Sequence, residues 1–103
     1  MRLKLIILML KITEIKIQDD FRILCIFNNG VSKTIHVLPL LQNHKHLPGI
    51  DKLKEANTFS KARIGLFGEI IWDDIIEIKN GNENEIWDYD ISPEFVFYNG
   101  VNG

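Results

Sequence analysis

The chain has 103 residues, of which 46% are hydrophobic and 25% charged; this is the composition of one small folded domain and excludes an intrinsically disordered chain. Twelve Lys and Arg against 14 Asp and Glu give a formal charge of -2, too near balance for a generally basic nucleic-acid coat. A single cysteine excludes an internal disulfide and suits a reducing compartment, so the expectation is a cytoplasmic single domain over residues 1–103.

The first residues are Met1-Arg2-Leu3-Lys4, followed by an unbroken apolar run from Leu5 to Leu10. That run is far short of the roughly 20 residues that cross a bilayer, and no small-residue cleavage site follows it. No membrane is implied. Either Met1 or Met9 is the start, which leaves residues 1–8 as a leader or an extra strand. From Leu10 to Ile17 apolar and polar residues alternate, but Ile12 and Ile15 differ in parity; one bulge near Thr13 reconciles them. Asp19-Asp20 makes a turn. Phe21, Ile23, Cys25 and Phe27 then share one face of a second strand, which places Cys25 in the core and not at a reactive site. Asn28-Asn29-Gly30 closes a hairpin, because Asn and Gly tolerate the positive φ of tight turns. Val31 to Val37 returns as a third strand, completing an antiparallel meander over 10–37.

Leu38 to Asn43 fits a short helix with Pro39 in its first turn, where a missing N–H costs nothing. His44 to Gly49 is a loop. Ile50, Leu53, Ala56 and Phe59 recur every three residues; one helical face lays Ile50, Leu53 and Ala56 on the sheet, with Asn57-Thr58 as its breaker and Phe59 as an anchor beyond. Glu69 to Trp72 is a strand; Asp73-Asp74 interrupts it and Ile75 to Ile78 resumes it. After a turn over Lys79 to Asn82, residues Glu85 to Tyr89 pair back. Ser92 then caps a final short helix that begins at Pro93. The fold class is α+β: an antiparallel β-meander, short helices packed on it, and a C-terminal strand or hairpin.

Charge is segregated along this chain. Residues 1–68 carry a net +6, whereas residues 69–94 hold nine acids against Lys79 alone, a net -8. The acids either solvate the outer face of a hairpin or form a surface for a basic partner. Trp72, Trp87, Tyr89, Phe95, Phe97 and Tyr98 concentrate aromatics in the same third of the chain, where they serve as interface anchors or as the lid of a small core. The candidate partner-binding set is therefore Trp72, Asp73, Asp74, Trp87, Asp88, Asp90 and Glu94. The alternative is a small nucleic-acid-binding protein that uses Lys4, Lys11, Lys16, Arg22 and Lys33 of the basic half. An exposed strand edge also offers a route to homodimerisation.

Catalytic and metal chemistry find little footing. His44-x-His46 supplies two imidazoles, but no cysteine pair or ligand spacing completes a zinc site. Asp88-x-Asp90 starts like a calcium loop, yet Pro93 stands where that loop needs its sixth-position glycine. Gly65-Leu66-Phe67-Gly68 lacks the Lys-Ser/Thr end of a phosphate loop, and no Ser-His-Asp spacing is present. The expectation is a non-enzymatic protein with no cofactor and no metal.

Several segments in order resemble a known family. They are Phe27-Asn28-Asn29-Gly30, then Ile35-His36-Val37-Leu38-Pro39-Leu40-Leu41, then Leu53 with Phe59 before Ala62-Arg63-Ile64. Glu69-Ile70-Ile71-Trp72-Asp73 and Trp87-Asp88-Tyr89-Asp90-Ile91-Ser92-Pro93-Glu94 complete the series. Together, over about residues 10–99, they resemble the small bacterial domain-of-unknown-function family 2442. The chain departs from that pattern by the distance between Trp72 and Asp90, so that residues 73–87 read as an inserted hairpin. The resemblance implies a compact α+β domain without known catalytic activity. It also implies a small partner protein encoded nearby, as in toxin–antitoxin pairs; the acidic residues 69–94 would make that partner basic.

Overall fold

The computed structural model describes residues 9–103; the reading of residues 1–8 as a leader or an extra strand lies outside the described residues. Strands β1 (Ile12–Gln18), β2 (Arg22–Phe27) and β3 (Ser32–His36) form the expected antiparallel meander. The register slips between Ile12 and Glu14, so Thr13 is the bulge that the parity conflict demands. It sends Ile12 into the core and leaves Ile15 packed against its margin. Ile17, expected on the same apolar stripe, is exposed: it lies on the outer strand of the sheet, beside the fully buried Ile23 of β2. Asn28 fastens the other end of β1: its side chain accepts from the Lys11 N–H at 3.2 Å and donates to the Met9 carbonyl at 2.8 Å.

The helix α1 (Leu38–Asn43) follows with Pro39 in its first turn and buries Leu40 and Leu41. A helix from Ile50 broken at Asn57-Thr58 does not form; the break falls at Glu55, and Asn57 and Thr58 are helical. The chain instead makes a 3-10 turn over Ile50–Lys54 and a separate turn of helix, α2 (Ala56–Phe59), broken at Glu55, whose φ of -89° and ψ of 127° are extended. The spacing of three suits the tighter 3-10 repeat and drifts off one face of an α-helix. The break at Glu55 also turns Phe59 inward, edge-on to Phe21 at 5.1 Å and beside Trp72 at 5.7 Å.

The second sheet consists of β4 (Arg63–Ile64), β5 (Ile70–Asn80) and β6 (Glu83–Ile91), in that order and antiparallel. Asp73-Asp74 bends β5 without ending it. Between the pairs Trp72↔Tyr89 and Ile76↔Trp87, residues 73–75 of β5 face Asp88 alone, a wide bulge. Asp74 adopts φ 56°, and its N–H donates to Asp88 Oδ1 at 3.0 Å. The bulge lets the adjacent Ile75 and Ile76 both enter the core. Past it, the edge of β5 that β4 no longer covers is sealed by the loop before the 3-10 turn: the Glu77 N–H donates to the Pro48 carbonyl at 2.9 Å.

Ser92 accepts from the Phe95 N–H at 3.1 Å and caps α3 (Pro93–Asn99), as the sequence implies. The chain then turns back to form β7 (Val101–Asn102), unanticipated from sequence, which pairs with β3 and makes the first sheet β1-β2-β3-β7. Both sheets and all the helical segments contribute to one apolar cluster, including Ile23, Cys25, Phe27, Leu41, Leu53, Ile70, Trp72, Ile91 and Val96. The described residues include no buried polar or charged residue, and no described helix is long and apolar enough to cross a membrane.

Candidate interaction edge

The seven candidate residues separate into groups with different local roles. Trp72 is 1% exposed, stacked between Phe59 and Tyr89, and its Nε1 donates to the Phe59 carbonyl at 2.9 Å. It belongs to the core and is corrected out of the surface set, because β5 enters the core at that residue. Asp73 is held by Arg63 through two hydrogen bonds of 2.9 and 2.8 Å. Asp88 closes the bulge at Asp74. Glu94 lies in the first turn of α3, where a carboxylate complements the helix dipole. Asp74, Trp87 and Asp90 are exposed.

Strand parity arranges what remains. Residues directly opposite across an antiparallel pair share a face, and successive residues alternate. Tyr89 pairs with Trp72 and Ile91 with Ile70, so Ile91, Tyr89, Trp87 and Glu85 lie on the core-facing side of β6. Asp90, Asp88 and Ile86 lie on the other side. Trp87 lies on the core-facing side opposite the buried Ile76, but on the outer strand; it is 55% exposed, and its Nε1 donates to Glu85 Oε1 at 2.9 Å. Ile86, 50% exposed, is its neighbour on the opposite face. The structure thus does not gather Trp87 and the acids on one flat patch. It distributes them on both sides of one strand, and that strand ends its sheet.

Sequence reasoning missed Ile86, Glu83 and Glu85 as members of this surface. Period-two alternation through Glu85-Ile86-Trp87-Asp88 was the available signal, since a strand with large apolar residues at adjacent positions exposes one of them on each face unless both sides are covered.

Electrostatics follow the same geometry. The Arg63 guanidinium hydrogen-bonds Asp73 and holds its carboxyl below the usual carboxylate range; Lys52, 2.9 Å from Glu77, does the same there. Several cations of the basic half are engaged within the fold. Arg22 meets Asp20 at 2.7 Å, Lys54 meets Asp51 at 3.3 Å, and Lys33 donates to Asn102 Oδ1 at 3.0 Å while lying over the Phe97 ring. Strand β6 carries Glu83, Glu85, Asp88 and Asp90 and no cation.

Two shallow concavities lie to the side of this edge. One, of about 440 Å3, is bordered by Arg22, His36, Asn43, Phe95 and Asn99; its His36 Nε2 is sealed from solvent without a partner. The other, of about 310 Å3, is bordered by His44, Tyr89 and Asp90. There the Tyr89 hydroxyl and His44 Nδ1 are 2.6 Å apart, and burial, with Asp90 adding to it, pushes the phenol up to about 12. The hydrogen-bonded pair is a structural clasp between β6 and the residue after α1. Among the described residues no three His, Cys, Asp or Glu side chains converge to hold a metal. Cys25 is buried and its thiol is pushed up to about 12 by desolvation, the opposite of what a nucleophile needs. No protein-family model, curated protein or solved structure matches the chain.

Proposed function

We propose that the chain is a non-enzymatic protein-interaction module whose binding surface is β6 and whose partner is a small basic protein. The observation that supports this reading is the pairing of two large exposed apolar side chains, Trp87 and Ile86, with a strand whose only charges are acidic. Burying an exposed tryptophan at the centre of an interface supplies much of the affinity, and the acids would steer a basic protein to it and exclude acidic ones. An antitoxin-like role for the pair rests on the resemblance to family 2442 alone.

The test is recovery of the tagged chain from its native host at low and high salt, with companions identified by mass spectrometry. Variants must spare the acids with local roles, so the informative ones are Trp87→Ala and the double change Glu83→Gln with Asp90→Asn. One stoichiometric basic protein, released by salt and lost from both variants, is the expected result. Recovery of the chain alone, or a companion retained equally by both variants, overturns the reading.

A further inference from the structure

Resting on that reading, we infer that the partner binds by strand addition: an extended basic segment pairs its backbone with the free edge of β6. The edge of β3 is covered by β7 and that of β5 beyond the bulge by Pro48. Within the described residues the other long outer strand, β1, bonds outward only through its Ile12 N–H, to the Gly68 carbonyl at 3.0 Å, but it carries a bulge at Thr13 and a lysine, Lys16. Strand β6 runs nine residues, Glu83–Ile91, at the end of its sheet. Among the described residues its outer edge makes no backbone hydrogen bond to another element. Proteins usually blunt such edges with proline, charged side chains or a bulge in the edge strand. Strand β6 contains no proline, and the bulge lies on its partner β5; its charges are all acidic, which blunts the edge against another acidic strand and leaves it open to a basic one.

Acidity decides the occupant. Two copies of β6 placed edge to edge would bring their Glu83, Glu85, Asp88 and Asp90 side chains together without one cation on either strand, which opposes self-pairing. The same four acids favour a basic strand. An incoming strand alternates its side chains as β6 does, so both surfaces of the edge are read at once. On one side its residues meet Ile86, Asp88 and Asp90, a setting for Lys or Arg whose stems lie on Ile86. On the other they meet Trp87 beside Glu85, a setting for an apolar residue or an arginine over the indole. The ligand class is thus an extended segment of about six residues in which basic and apolar side chains alternate.

The experiment uses the full chain and a nonapeptide of alternating lysine and valine. Its controls are the same peptide N-methylated at alternate backbone nitrogens on the pairing edge, and a glutamate–valine counterpart. Binding is titrated at low salt while hydrogen exchange of the β6 amides is followed. The expected result is slowed exchange at alternate amides of 83–91, at least tenfold weaker binding of the N-methylated peptide, and none of the acidic one. Equal binding of the two basic peptides with unchanged exchange overturns strand addition yet leaves a basic partner at this surface. Failure of every peptide also overturns it, and the native-host recovery with Trp87→Ala then decides separately whether the interaction reading survives. A peptide-free dimer that protects the same amides replaces the basic partner by a second copy.

Discussion

The substitution Gly49→Ala tests the joint that positions β6. Gly49 has φ +97°, and a Cβ there would stand 2.1 Å from the Ile75 carbonyl oxygen, a backbone atom that no side-chain rotation can move. Two costs add. Forcing an L-residue into the left-handed region costs about 1–2 kcal/mol. Relieving the clash requires the loop to withdraw from the bulge, which breaks the Glu77 N–H bond to the Pro48 carbonyl and adds about 1–3 kcal/mol. The expected total of about 2–5 kcal/mol is a large part of the stability of a domain this size. Gly30→Ala is the internal control: its φ is +86° with no atom within 4 Å of the added Cβ, so it carries the first cost alone. Urea denaturation of the two variants and the parent, with unchanged m-values, reads the difference directly. If Gly49→Ala costs no more than Gly30→Ala, the loop does not brace the bulge and the reasoning fails.

Trp72→Phe removes the donor to the Phe59 carbonyl and part of a fully buried ring, an expected loss of about 2–4 kcal/mol, whereas Trp87→Phe costs less than about 0.5 kcal/mol; equal urea midpoints would refute the assignment of one to the core and one to the surface. Cys25 should react with a disulfide reagent only on unfolding. Because folding raises Cys25 from 9.0 and Tyr89 from 10.0 to about 12, the unfolded chain releases protons that the folded chain keeps. Stability is then undiminished below pH 9, falls as pH rises toward 12, and a flat profile of urea midpoints from pH 8 to 11 contradicts this. Asp73 behaves in the opposite sense: its lowered pKa contributes stability above the ordinary carboxylate value that is lost as pH falls through the lowered one. Parent and Arg63→Gln should therefore converge in stability as Asp73 becomes protonated in acid, and a difference that persists undiminished as pH falls excludes the ion pair as its source.

Local rules made the meander legible. Parity located the bulge at Thr13 before any pairing was known, Asn-Asn-Gly fixed the first hairpin, and Ser92-Pro93 marked the start of α3. The features that stayed hidden depend on partners distant in sequence. Nothing in Val101-Asn102 announces a strand; it becomes one only because β3 offers an open edge. The spacing Ile50, Leu53, Ala56 and Phe59 reads equally as 3-10 or α-helix until Phe59 is seen to need its place against Trp72. Asp73-Asp74 looked like an interruption because the pairing that carries a strand through a bulge is supplied by Asp88 on the neighbouring strand. For the candidate surface, the acidic and aromatic content was visible in composition, but Trp72 lies on the inner strand β5 and Trp87 on the outer strand β6. Which strand is flanked on both sides is a property of the assembled sheet.

The late return of β7 bears on the order in which the protein can be completed during synthesis. Strands β1 to β3 are contiguous and can pair as soon as residue 37 has emerged. Their apolar face, however, waits for cover: Phe97, edge-on to Phe27 at 5.3 Å, and the buried Val96 both lie on α3, and the β3 edge waits for Val101 and Asn102. At about 5–20 residues per second the interval from residue 37 to residue 102 is roughly 3–13 s. Throughout that interval the nascent chain presents a formed sheet whose apolar face is incompletely covered and whose β3 side is open. The least protected moment in the life of this small domain therefore precedes its release from the ribosome, when the segments that will cover the sheet have yet to be made.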